Sequence, residues 1–154
     1  MSHQSAFQRA AGELSATIDA AFPKLRSIPE PRAAQPRAPE KWSPKQVIGH
    51  LIDSAANNHQ RFVRGQEGPE LRFPPYAQDH WVGCQRYQDR AWDDLTGLWY
   101  AYNRHLVHVI GVMPGDKEQT PCIVEGKTPV TLGFLAQDYV VHLRHHLAQV
   151  GIAG

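Results

Sequence analysis

The sequence predicts an all-α protein, a four-helix bundle with a short extra helix and long connectors. Three observations point there. Four long segments repeat their apolar residues at threes and fours, the connectors carry proline or glycine, and no stretch alternates convincingly as a strand should. Helices of this kind bury one stripe against each other, and four of them close a core.

The first helix spans about residues 5–26, where Phe7, Ala11, Leu14, Ile18, Ala21, Phe22 and Leu25 fall on one face. Residues 28–39, IPEPRAAQPRAP, contain prolines that cannot continue a helix and favour an extended connector. Its length implies at least one crossover. The second helix opens at Ser43-Pro44: Ser43 is a good N-cap, Pro44 suits the first helical position, Gln46 completes a capping box, and Trp42 can staple onto Val47. Its body carries two stripes. Ile48, Leu51, Ile52, Ala55, Phe62 and Val63 form the apolar one, and His50, Ser54, Asn57 and Arg61 the polar one, with Asp53 beside it. Solvated stripes are usually Lys and Glu, so this composition suits a wet internal cavity.

Residues 65–75 read as loop, and 76–91 as a short helix with Trp81 and Tyr87 inward and His80 either exposed or at an entrance. The third long helix, about 93–113, has Leu95, Leu98, Trp99, Tyr102, Leu106, Val109 and Met113 in a near-heptad seam and stops at Pro114-Gly115. His105 and His108 receive no site role. Residues 115–128 form another loop, with 122–124 able to pair briefly as strand. Thr128-Pro129 repeats the cap-plus-proline device ahead of the last helix, 131–150. There Leu132, Leu135, Ala136, Tyr139, Val140, Leu143, Leu147 and Val150 make the core face. His142 and His146 flank it one turn apart, and His145 points further towards solvent. An HxxxH pair alone is as well read as two satisfied helix histidines; a metal site needs a third ligand elsewhere. Periodicity leaves that third residue open between His50 and His59.

Composition bounds the function. A chain of 154 residues fits a single domain, 1–154, with a real core. Sixteen basic and fifteen acidic residues, interspersed, leave a net charge of +1 and no electrostatic footprint for nucleic acid or an anionic membrane. The expected partner is a small-molecule substrate. No stretch reads as a signal peptide or a membrane span, so a cytoplasmic location is expected. Cys84 and Cys122 lack CxxC spacing and read as idle thiols. Nine histidines are the outlier and direct attention to metal or proton chemistry.

Taken together, the KWSPKQVIGHLIDSAANNHQRF run, the PPYAQDHW segment, the EGKTPVTL approach to the last helix and the DYVVHLRHHLAQV block resemble the DinB-like superfamily, and within it the YfiT-like metal-dependent enzymes. The resemblance implies a four-helix bundle in which one histidine of the second helix and two of the last bind one divalent metal. Carried over residue by residue, these are His50, His142 and His146, a choice that also decides against His59. One departure is Gly49, where YfiT-like members can carry another histidine.

Three neutral imidazoles leave a divalent ion with open positions, as in a catalytic site. Such an ion draws the pKa of bound water towards neutrality and deprotonates a bound thiol. The resemblance further implies use of bacillithiol, mycothiol or glutathione, so the expected function is a metal-dependent transferase or hydrolase activating a low-molecular-weight thiol or water against a small electrophile. Asn57 and Arg61 are candidates for holding a carboxylate or amide of the thiol, and Asp53 for orienting an imidazole or moving a proton. Zinc or nickel leads the metal list, followed by iron, cobalt and manganese. The competing reading is a non-catalytic metal-binding stress or interaction module, and either permits a homodimer.

Overall fold

The computed structural model describes residues 4–152. Four long helices form the body: α1 (Ala6–Arg26), α3 (Pro44–Arg64), α5 (Trp92–Gly111) and α6 (Leu132–Gln149). α1 packs on α5 and α6, and α3 packs on the same two, so the order around the bundle is α1, α5, α3, α6. The chain therefore crosses a diagonal twice, once from α1 to α3 and once from α5 to α6. Those crossings are made by the connectors at 27–43 and 112–131, whereas the longest, 65–91, joins the neighbours α3 and α5.

Local chemistry sets the helix starts. Ser5 and Ser43 both complete capping boxes, with Gln8 and Gln46 respectively, and Pro44 occupies the first turn of α3. Thr131, not Thr128, caps α6, its hydroxyl accepting from the Phe134 amide at 3.0 Å. Residues 130–131 are strand, which moves the helix start past the Thr128-Pro129 pair.

The core follows the apolar stripes closely. Leu14, Ile18, Leu51, Trp99, Leu106, Val140 and Leu147 are among its buried members, each contributing roughly 1.5–3 kcal/mol when fully withdrawn from water. Six expected members lie elsewhere. Val63 and Leu98 are exposed, and Phe22, Tyr102, Val109 and Val150 are half-buried, the Phe22 ring stacked on Tyr100. In α5 the buried face takes in Thr96, Asn103 and Ile110, with Asn103 Oδ1 accepting from the Tyr139 hydroxyl at 2.5 Å.

Two features depart from the expectation. The first connector holds a short helix, α2 (Glu30–Ala33), because Pro29 and Pro31 sit at its start, where an absent N–H costs nothing. The second is a small sheet of β1 (Leu71–Phe73), β2 (Pro121–Val124) and β3 (Val130–Thr131), in the order β1-β2-β3. β1 and β2 run parallel, with Leu71 opposite Cys122 and Phe73 opposite Val124; β2 and β3 run antiparallel. The expected pairing at 122–124 is thus met by β2, and the loop at 65–75 supplies an unexpected partner, β1. The short extra helix is α4 (Gln78–Cys84), followed by a 3-10 turn at Tyr87–Asp89. Tyr87 is buried as expected, whereas Trp81 is half-buried against Tyr76. Cys84 and Cys122 are free thiols, and no described helix is long and apolar enough to cross a membrane.

Candidate metal centre

Position 50 of α3 and positions 142 and 146 of α6 face each other across the bundle. His142 and His146 are one turn apart on a single face, and His50 reaches them from the neighbouring helix. His50 Nε2 lies 3.4 Å from His142 Nε2, and His146 Nε2 lies 3.1 Å from the same atom. The three ligand atoms all lie within 4.8 Å of one another. A tetrahedral ion with metal–nitrogen bonds of about 2.0–2.1 Å holds its nitrogens about 3.3 Å apart. The spacing fits, and so does the donor set.

The environment keeps these rings neutral. His50 is buried, and burial first, then the neighbouring His146 and His142, push its pKa down to about 3. Burial likewise takes His142 down to about 4, helped by His146 and His145. His146 is lowered mainly by burial, with a hydrogen bond to Gln149 working the other way. Gln149 Oε1 lies 2.9 Å from His146 Nδ1. A carboxamide oxygen accepts, so this contact places the proton on Nδ1 and leaves Nε2 with its lone pair free. The Trp42 indole covers His50 at 5.0 Å between ring centroids and lies 6.4 Å from His146.

His145 is exposed and outside the group, as its helical position predicts. His59 is occupied elsewhere: its Nδ1 lies 2.9 Å from the Tyr102 hydroxyl. Geometry thus favours His50 over His59, the choice periodicity left open.

Two openings reach the centre. A cavity of about 290 Å³ is walled by Ser54, Asn58, Arg61, Tyr76 and His142, with Val124 and Leu135 as apolar wall. A second, of about 300 Å³, runs past Trp42, Arg37 and Gln78 to His146. The three expected non-metal residues sit differently from one another. Arg61 lines the first cavity. Asn57 does not: its Nδ2 donates to the Asp53 carbonyl at 2.9 Å, and Asn58 takes the wall position. Positions 54, 57, 61 and 54, 58, 61 are both helical repeats, so the pattern alone could not separate them. Asp53 Oδ1 accepts from the Tyr87 hydroxyl at 2.6 Å and from Gln85 Nε2 at 2.8 Å, and no hydrogen bond joins it to the three imidazoles among the described residues. Burial raises its carboxyl pKa despite both donors.

Tyr87 and Trp42 were not among the expected site residues. Tyr87 has one signal in hindsight, Gly49: a Cβ at position 49 would lie 2.1 Å from Tyr87 Cδ2. The ring occupies the space where a side chain preceding His50 would stand. Histidine at this position is incompatible with that packing.

The DinB superfamily profile matches residues 13–150. The chain belongs to the DinB superfamily. A protein of Bacillus mycoides (strain KBAB4), whose name proposes a metal-dependent hydrolase, is 26% identical over 112 residues, covering 71% of this chain and 62% of the relative. The chain thus spans less than two thirds of that relative's length. Among solved structures, YfiT from Bacillus subtilis, described as a "probable metal-dependent hydrolase with an unusual four-helix bundle topology", superposes with a TM-score of 0.84 at 17% identity, covering 94% of this chain and 83% of YfiT. The mycothiol-dependent maleylpyruvate isomerase gives 0.78 at 13% identity, covering 96% of this chain and 62% of the isomerase. These two similarities establish the shared fold.

Proposed function

We propose that this DinB-superfamily chain is a metal-dependent enzyme in which His50, His142 and His146 hold one divalent ion, and a low-molecular-weight thiol or water attacks a small electrophilic substrate beside it. The observation that carries the reading is the convergence of three Nε2 atoms, kept neutral by burial, at a point reached by two cavities. A divalent ion held there would supply Lewis-acid chemistry, lowering the pKa of water or of a thiol. The names of the Bacillus mycoides relative and of the isomerase support, respectively, a hydrolytic and a thiol-dependent version of this chemistry.

The chain's own residues do the positioning. Gln149 fixes the His146 tautomer, and Trp42 shields His50 from water. Asp53, with Asn57 behind it, acts as a positioning residue: it ties Tyr87 and Gln85 to α3 one turn after His50. Ser54, Asn58, Arg61 and Tyr76 offer donors to a substrate whose reacting end lies at His142. A purely structural ion would have no need of openings at two of its three ligands, which weighs against a non-catalytic module.

Elemental analysis tests this directly. Wild type prepared without metal-affinity resin and offered zinc, nickel, cobalt, iron and manganese should retain close to one equivalent of one of them. The His142→Ala/His146→Ala double variant and His50→Ala should lose it, while His145→Ala keeps it. Wild type without retained metal, or a His50→Ala variant with full retention, would overturn the assignment.

A further inference from the structure

Arg61 stands in the wall of the cavity that ends at His142, half-buried, with its guanidinium 4.1 Å above the Phe73 ring. Among the described residues its side chain makes one hydrogen bond, a long one, 3.5 Å from Nη1 to Asn58 Oδ1. No carboxylate comes within ion-pair distance of it among the described residues, although six other ion pairs form. A half-withdrawn cation without an anion is costly, and burial indeed pulls its pKa down. The neighbouring Tyr76 hydroxyl and Cys122 thiol do not supply the missing anion: both are neutral near pH 7, and burial raises their pKa values further, Cys122 to about 11.

Two further charged residues line the same cavity, Lys127 and Asp138. They are opposite in sign and leave the space with the net positive charge of Arg61. Phe73 is brought under the guanidinium by β1, and Val124 of β2 closes the adjacent wall. The small sheet therefore builds a planar, stacked cation whose fork of N–H donors is turned to a cavity too small for a large ligand.

We propose that Arg61 is the receptor for a carboxylate on the small molecule that reacts at the metal centre, so that the reactant is an organic acid or a carboxylate-bearing thiol. This rests on the proposed function for the reacting end and is independent of it for the anion. The guanidinium takes the carboxylate bidentately, Asn58 and Tyr76 add polar contacts, and the rest of the molecule extends towards His142.

Titration calorimetry on the zinc-loaded protein tests it, with succinate against succinamide and N-acetylcysteine against its amide. Each carboxylate should bind at least about tenfold more tightly than its amide. Arg61→Gln, with unchanged thermal stability, should weaken both carboxylates by at least about tenfold, and Arg61→Lys should recover part of that loss by restoring charge without the fork. Preference for N-acetylcysteine only when zinc is present identifies the thiol as the source of the carboxylate; equal binding identifies a substrate acid. The same titrations after EDTA treatment separate the two readings, because Arg61-dependent binding should persist without metal. Carboxylate binding unaffected by Arg61→Gln, or equal binding of acid and amide, would overturn the proposal while leaving the metal assignment standing. Failure to bind metal would leave the carboxylate result standing.

Discussion

At the scale of single residues, the proposed metal centre depends on space as much as on ligands. Gly49 precedes His50 in α3, and the Tyr87 ring fills the volume its side chain would need. Gly49→Ala gains about 1 kcal/mol in helix propensity but must displace a buried ring, a cost of about 1–3 kcal/mol or more at a 2.1 Å approach. We expect a less stable protein by urea denaturation, together with weaker metal retention as α3 shifts; a stabilised variant would show that Tyr87 moves freely. Trp42 offers a second check. Because its indole lies over His50, cobalt or nickel added to metal-free protein should quench tryptophan emission, and Trp42→Phe should remove most of that response. His142 and His146 were legible from helical spacing, and His50 only with the resemblance, since His59 competes on the same helix. Trp42 and Tyr87 were not legible as site residues, because their roles come from tertiary contact: the 3-10 turn at Tyr87–Asp89 lands on α3 from beyond α4.

At the scale of elements, α2 is four residues long yet anchors two long helices. Glu30 takes Lys45 Nζ of α3 at 2.6 Å on one carboxylate oxygen and the Trp92 amide, the first of α5, at 2.9 Å on the other. It does the work of an N-cap for α5, whose own Ala91 has no side chain to offer. Lys45 is only 6% exposed and Glu30 54%, so losing the carboxylate strands the buried ammonium. The hydrogen bond from Lys45, then that from Trp92, holds the Glu30 pKa below the usual carboxylate range. A depressed folded-state pKa gives stability that is complete above the unfolded value and lost as pH falls through the folded one. Glu30→Gln should therefore be destabilised near neutrality, and its deficit against wild type should stay constant down to the unfolded carboxylate pKa of about 4.3 and shrink as pH falls below it. A deficit constant with pH would show that the ion pair is not responsible. The four long helices were readable from their apolar periodicity, and α3 also from its Ser43-Pro44 start. Of the short elements only 122–124 was expected as strand; β1, β3 and α2 were not, since segments of two to four residues carry no period and β1 finds its partner fifty-one residues along the chain.

At the scale of the whole molecule, the proposed ion would join α3 to α6, two neighbours in the bundle ring that are remote in sequence. Metal that binds only the folded state adds about 2.7 kcal/mol at a free concentration of 100 Kd, and a domain of this size moves by roughly 2–4 °C in Tm per kcal/mol. Chelation should lower Tm accordingly in wild type and have no effect on the His142→Ala/His146→Ala variant. An equal chelator effect on both would place the stabilising ion elsewhere. The bundle class was visible from the sequence, and the first connector implied at least one crossover; the second crossing and the order around the ring were not visible, because amphipathic stripes say which face is buried and leave the neighbour unspecified.

The ninety-two-position separation of His50 and His142 also sets an order of events during synthesis. While a nascent chain has delivered α3 but not α6, it holds at most one of the three ligands in place. Closing so long a loop is paid for in chain entropy before the imidazoles meet. On the proposed assignment, metal capture then waits for α6 to dock on α3.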